Sequence, residues 1–351
     1  MYTIALVLIA RNEAASITRC LDSVRPWVNH LGVLDTGSHD DTVQTARNAG
    51  ARVEHFTWID DFAAARNRAL DLFEADWNLV LDADEWIKAG GPALAALRQV
   101  RPDFVGALRI DSDFSAHGSE ACASSWLSRV LPRGVRYAGR IHEQPVHQLG
   151  VRRLPVQVGH AGYRPSALAA KQGRNAALLV RALQESPDDG YLLYQLGKDH
   201  SVYQNFEAAA DYFARAAQRL PADHAVTHDL LIRWLYALKK CQRHAQAQQL
   251  AESHMARWQD SPDYWFMVGD LLLDWACEQP EHADTLLPMI EASWLRCLEI
   301  GERPDLEGAV QGRGSHLAAT NLAVFYEGMG RPDEALHYRR LAGVPATHDG
   351  R

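Results

Sequence analysis

The sequence predicts an α/β domain built on a largely parallel sheet, followed by an all-helical domain. Three observations predict it. Residues 1–165 alternate short apolar runs with polar turns and helical stretches; from about residue 166 the strand-like runs vanish and helix formers dominate; and the polar turns of the first part fall just after its apolar runs. With 351 residues and 47% hydrophobic content the chain can bury two cores. The expected division is 1–165 and 166–351.

"TIALVLIA" (3–10) and "HLGVLD" (30–35) read as buried parallel strands. "AASITRCLDSVRPWV" and "DDTVQTARNAG" read as the amphipathic helices that follow them, and "ARVEHF" as a third strand, which makes a βαβαβ opening. Next, "DDFAAARNRALDLFEA" places Phe62, Ala65, Ala69 and Leu72 at helical spacing. "WNLVLDADEW" is then a fourth strand with an acidic tail. Ligands in open α/β sheets gather outside the carboxyl ends of strands. The clusters "ARNE", "DTGSHDDT" and "DADE" all fall there.

In the second part, Leu196, Gly197, Phe206, Ala209, Phe213, Ala216 and Pro221 sit in a frame of about 34 residues, the spacing of tetratricopeptide repeats. Leu322, Ala323, Tyr326, Gly330, Ala335 and Ala342 fit the same frame near the C-terminus, with degenerate copies between. Small residues let the two helices of a pair approach, and each pair buries its other face on the next. Trp234, Trp258, Trp265, Trp275 and Trp294 are expected mostly in the core, with any remaining apolar area suited to a homodimer through the helical domain.

Composition excludes several classes. Residues 1–165 hold 18 basic against 19 acidic side chains and the remainder 18 against 25, with no cluster of the kind a nucleic-acid binder shows. No apolar run approaches the roughly 20 residues of a membrane helix, and the start lacks the features of a secretory signal, so a cytoplasmic protein is expected. Five scattered cysteines suggest neither disulfides nor a zinc site.

"LVLDADEW" packs Asp82, Asp84 and Glu85 against a strand-like run. The run before them is strand-like, so its period of two projects Asp82 and Asp84 to the same side. Two hard oxygen ligands suit Mg²⁺ or Mn²⁺ together with phosphate oxygens. Glycoside hydrolysis would need carboxylates on opposite sides of a sugar, which neighbours on one strand do not supply. Nucleotidyl transfer would call for a Gly-rich, basic phosphate loop, and "LIARNEAAS" contains no glycine.

"LIARNEAASITRCLDSV", "LDTGSHDDT", "FAAARNRAL" and "LVLDADE", in this order and at these distances, resemble glycosyltransferase family 2, inverting enzymes of GT-A (Rossmann-like) fold that use nucleotide sugars. The likeness covers about residues 3–90. "WLSRVLPRGVRYAGRIHEQ" and "VGHAGY" further resemble the subgroup that joins such a domain to tetratricopeptide helices, which includes peptide S-glycosyltransferases of the sublancin type.

By that resemblance Ala10, Arg11 and Glu13 would line a uridine pocket, with Asp35 on the base or ribose unless it merely caps its turn. Arg66 and Asn67 would touch the diphosphate or hold the acidic loop, Asp82 with Ala83 beside it would meet the ribose, and Asp84 would hold the metal, completed by His160. An inverting displacement also needs a base for the acceptor's proton. "GRIHEQ" offers Glu143 as the candidate base, with His142 as an alternative base or metal ligand and Asp111 and Asp113 in reserve. The resemblance therefore implies a UDP-sugar donor, Mg²⁺ or Mn²⁺, and an acceptor (peptide, protein or glycan) that the residues do not identify. A catalytically silent interaction scaffold is the alternative.

Overall fold

The computed structural model describes residues 1–116, 119–160 and 173–343. The chain divides into two compact units, Met1–Ser186 and Pro187–Arg351. The division expected at 165/166 falls in residues 161–172, outside the described residues.

The first unit runs β1 (Ile4–Ala10), α1 (Ile17–Val24), β2 (His30–Asp35), α2 (Thr42–Asn48), β3 (Arg52–His55), α3 (Phe62–Leu70) and β4 (Trp77–Val80), the order expected. It continues through β5 (Glu85–Ala89), α4 (Gly91–Ala96), β6 (Phe104–Ala116), β7 (Ser119–Pro132), β8 (Arg136–Ala138), β9 (Gln144–Val146), β10 (Gly150–His160) and α5 (Arg174–Glu185). Eight strands join in the order β3-β2-β1-β4-β7-β6-β10-β5. The β3-β2-β1-β4 portion is parallel. Beyond it, β4 with β7, β7 with β6, and β10 with β5 are antiparallel, which makes the sheet mixed.

Alternation along β1 feeds two cores. Ile4, Leu6 and Leu8 pack on the side of Ile17, Leu21 and Val24 from α1, whereas Ala5 and Val7 pack with Ala65 and Ala69 from α3. Burial on both faces explains why the strand reads as a continuous apolar run.

One expectation is corrected here. The fourth strand stops at Val80 and residues 81–84 form a connection with a tight turn, so the period of two does not carry Asp82 and Asp84 to one side. Glu85 N–H donates to the Asp82 carbonyl at 3.0 Å and closes that turn. β5 lies four strands from β4 in the sheet order, roughly 19 Å away if the sheet were flat. So short a connection requires the sheet to curl, and the curl brings β5 and β10 up to the end of β4.

The second unit is helical: α6 (Gly190–Val202), α7 (Phe206–Arg219), α8 (Thr227–Lys240), α9 (His244–Trp258), α10 (Pro262–Glu278), α11 (Ala283–Ile300), α12 (His316–Gly328) and α13 (Pro332–Leu341). Close approach within pairs rests on glycine against an aromatic ring. A Cβ on Gly197 would lie 2.5 Å from Phe213, and one on Gly269 would lie 2.5 Å from Trp294. Of the five tryptophans expected mostly in the core, only Trp294 is fully buried. The other four are half-buried. No described helix is long and apolar enough to cross a membrane.

Candidate active site

The first two strand tips are tied together by polar bonds. Asn12, in the left-handed region at φ 58°, receives His39 N–H on its side-chain oxygen at 2.8 Å and donates its own N–H to Ser38 Oγ at 2.9 Å. Asp35, buried, accepts from Gly37 N–H at 3.2 Å and Ser38 N–H at 3.1 Å, with His55 Nδ1 at 3.2 Å. Burial pushes this carboxyl up, but the bonds from Ser38, His55 and Gly37 more than offset it and leave it below its ordinary value. Asp35 therefore caps its turn, at the strand end where the resemblance puts the base or ribose. Ala10 is buried at the end of β1, Arg11 is exposed, and Glu13 accepts the Ser16 hydroxyl at 2.6 Å at the start of α1.

The acidic turn holds most of the charge. Asp82 Oδ1 accepts from Arg66 Nη2 at 2.6 Å and Oδ2 from Arg129 Nη2 at 2.9 Å. The same Arg129 nitrogen donates to Glu85 Oε1 at 2.7 Å, and Asp82 N–H donates to Glu85 Oε2 at 2.9 Å. Burial alone would raise Asp82, yet the two guanidinium groups hold it far below the carboxylate range. Burial pushes Glu85 up, with Arg129 opposing and the Asp82 charge adding to the rise. Two of the three acids are thus paired with arginines, Glu85 in the interior and Asp82 with 36% of its side chain still exposed.

Asp84 is different. Its Oδ2 lies 3.4 Å from His160 Nε2, and each side chain keeps about a fifth of its surface exposed. Ser112 Oγ lies 3.1 Å from His160 Nδ1, which fixes the ring with Nε2 toward Asp84. Burial works against a charged His160, but the Asp84 hydrogen bond and the charges of Asp84, Glu85 and Asp82 raise its pKa overall. A carboxylate oxygen and an imidazole nitrogen this close fit a shared Mn²⁺ or Mg²⁺. The described residues contain no group of three or more His, Cys, Asp or Glu that could hold a metal, so further ligands would come from phosphate oxygens and water. Ala83, between the two aspartates, is buried.

The "RN" pair has divided duties. Arg66, on α3, binds Asp82 through Nη2 and Glu143 through Nε, which links the acidic turn to the "GRIHEQ" loop. Asn67 exchanges both amide bonds with the backbone of Tyr137, at 2.9 and 2.8 Å, and so fastens α3 to β8. Glu143 is almost buried beside Arg66. Neighbouring His142 is exposed, at φ 50°. Asp111 is buried under a two-pronged Arg109 contact at 2.7 and 3.0 Å and a bond from Ser124 at 2.9 Å, so its charge is already compensated. The side chain of Asp113 lies outside the described residues.

Residues 5–115 match the model of the family Glycosyl transferase family 2. The chain carries a family 2 glycosyltransferase domain. It is similar to a TPR repeat-containing protein of Synechococcus elongatus, 31% identical over 66% of this chain and 60% of that protein. The SPbeta prophage-derived glycosyltransferase SunS of Bacillus subtilis is 26% identical over 61% of this chain and 53% of SunS. The chain thus spans little more than half the length of these curated relatives. Among solved structures, glucosyl-3-phosphoglycerate synthase of Mycobacterium tuberculosis with Mn²⁺, UDP and phosphoglyceric acid overlaps 32% of this chain and 43% of that one, at 28% identity and TM-score 0.27. MamA overlaps 51% of this chain and 92% of its own, at 15% identity and TM-score 0.38. The family 2 domain has helical pairs of tetratricopeptide type after it, as the motifs and helix pairing indicate.

The sequence reading missed Arg129, Ser112 and the inward role of Glu85. A lone arginine entering the apolar stretch "VLP" of a strand was the available signal for Arg129, since a buried guanidinium requires acidic partners.

Proposed function

We propose that the first unit is an inverting glycosyltransferase that moves a sugar from a UDP-linked donor to an acceptor on a peptide, protein or glycan. The observation that carries this reading is the acidic turn. Within a family 2 domain, Asp82 and Glu85 are consumed by arginines while Asp84 alone is presented to His160. A divalent cation held by Asp84 and His160 would neutralise charge on the departing diphosphate. The chain's own residues do the rest. Asp82, 36% exposed at its side chain although both oxygens accept hydrogen bonds, can face the ribose. Asp35, Ala10, Arg11 and Glu13 form the rim for the uridine, and Arg66 and Asn67 brace α3 behind the turn.

For proton removal we assign His142, exposed on the loop that Glu143 anchors to Arg66. The helical unit, more acidic than the first, supplies repeats suited to an extended acceptor or to a second copy of the chain. The test is a screen of UDP-sugars for slow hydrolysis with and without Mn²⁺. Hydrolysis of at least one donor that requires the metal supports the reading, and none with any donor contradicts it.

A further inference from the structure

One guanidinium closes the acidic turn on itself. Arg129 joins Asp82 to Glu85 from outside, Glu85 returns its second oxygen to the backbone of Asp82, and Glu85 N–H binds the Asp82 carbonyl. Residues 82 and 85 are therefore locked together, and the two between them are set by that lock: Ala83 inward, Asp84 toward His160. Arg129 is well placed for this. Val130 pairs with Leu79, which puts Arg129 one step further along β7, level with the end of β4.

We infer that Arg129 is a positioning residue for the nucleotide-diphosphate and cation site, holding the turn so that Asp84 meets His160. This rests on the reading given under Proposed function. Arg129 touches the turn and not the ion-binding pair: its Nη2 binds Asp82 and Glu85, while Asp84 contacts His160. A simpler role exists, because Glu85 is only 2% exposed and a carboxylate there needs a cationic neighbour. The two roles separate experimentally. An arginine that merely neutralises Glu85 becomes dispensable once Glu85 is neutral; one that positions Asp82 does not.

The experiment compares wild type, E85Q/R129M and R129K by melting temperature and by UDP affinity with Mn²⁺. Removing both charges together keeps the buried balance, so E85Q/R129M is expected to melt within a few degrees of wild type. Its affinity for UDP with Mn²⁺ is expected to fall by about ten- to a hundredfold, as for other outer partners of metal sites. R129K, a compact ammonium in place of a planar fork, is expected to weaken binding several-fold at an unchanged melting temperature. Wild-type affinity in E85Q/R129M overturns the inference. Should the double variant fail to fold, R129K decides, and wild-type affinity there overturns it equally. A wild-type protein that binds no UDP with Mn²⁺ refutes the nucleotide-sugar reading itself, which is a separate result.

Discussion

Gly159 brings His160 to Asp84. The antiparallel register sets Gly159 opposite Trp86 and His160 opposite Glu85, and a Cβ on Gly159 would lie 2.3 Å from the Trp86 ring. Arg19 closes the ring from elsewhere in the fold, its guanidinium carbon 3.3 Å from the ring centroid, so Trp86 has little room to yield. G159A is therefore expected to push β10 away from β5, at about 1–3 kcal/mol of stability. Calorimetric titration should show weaker Mn²⁺-dependent UDP binding in G159A, with UDP binding in the absence of metal nearly unchanged. Equal Mn²⁺ dependence in G159A and wild type would count against this role.

The loop at 139–143 separates binding from chemistry. H142A should lower kcat by about 10²–10⁴-fold and leave the UDP affinity nearly intact. E143Q should weaken both, because Glu143 anchors Arg66, which in turn holds Asp82. Steady-state kinetics with a donor found by the hydrolysis screen, paired with UDP titration, measures the two effects. A large loss of UDP affinity in H142A would remove it as the base.

In the helical unit one buried charge sits on Asp229, which accepts from the Tyr194 hydroxyl and from Arg233 Nε at 2.6 Å. Burial would raise its carboxyl, but Arg233, then Lys198, and the hydrogen bonds from Arg233 and Tyr194 lower it to about 2. A depressed carboxylate stabilises the fold above its unfolded pKa near 4, and that contribution is lost as pH falls from about 4 toward 2. D229N should cost on the order of 2 kcal/mol at pH 7 and flatten the decline in melting temperature over that acid window. Thermal melts at stepped pH check it; parallel declines in the two proteins would contradict it.

Much of this architecture was legible in the residues. The apolar runs of β1 and β2 announced a sheet covered on both faces, and Gly197 with Phe213 announced helix pairing. Less legible was the acidic stretch, because a strand end and a tight turn share the same apolar lead-in through Val80 and Leu81. The turn is set by partners distant in sequence: Arg66 on α3, Arg129 on β7 and His160 on β10. Local periodicity carries no record of such contacts, so Asp82 and Asp84 read alike although their surroundings give them opposite duties. The half-buried tryptophans were hidden for a similar reason, since residue type alone does not say how much of a ring the neighbouring helices cover.

The most direct test of the central claim is UDP titration of wild type and D84A, each with and without Mn²⁺. The account predicts that Mn²⁺ tightens UDP binding at least about tenfold in wild type and not at all in D84A. An equal Mn²⁺ enhancement in D84A, or none in wild type, would contradict it.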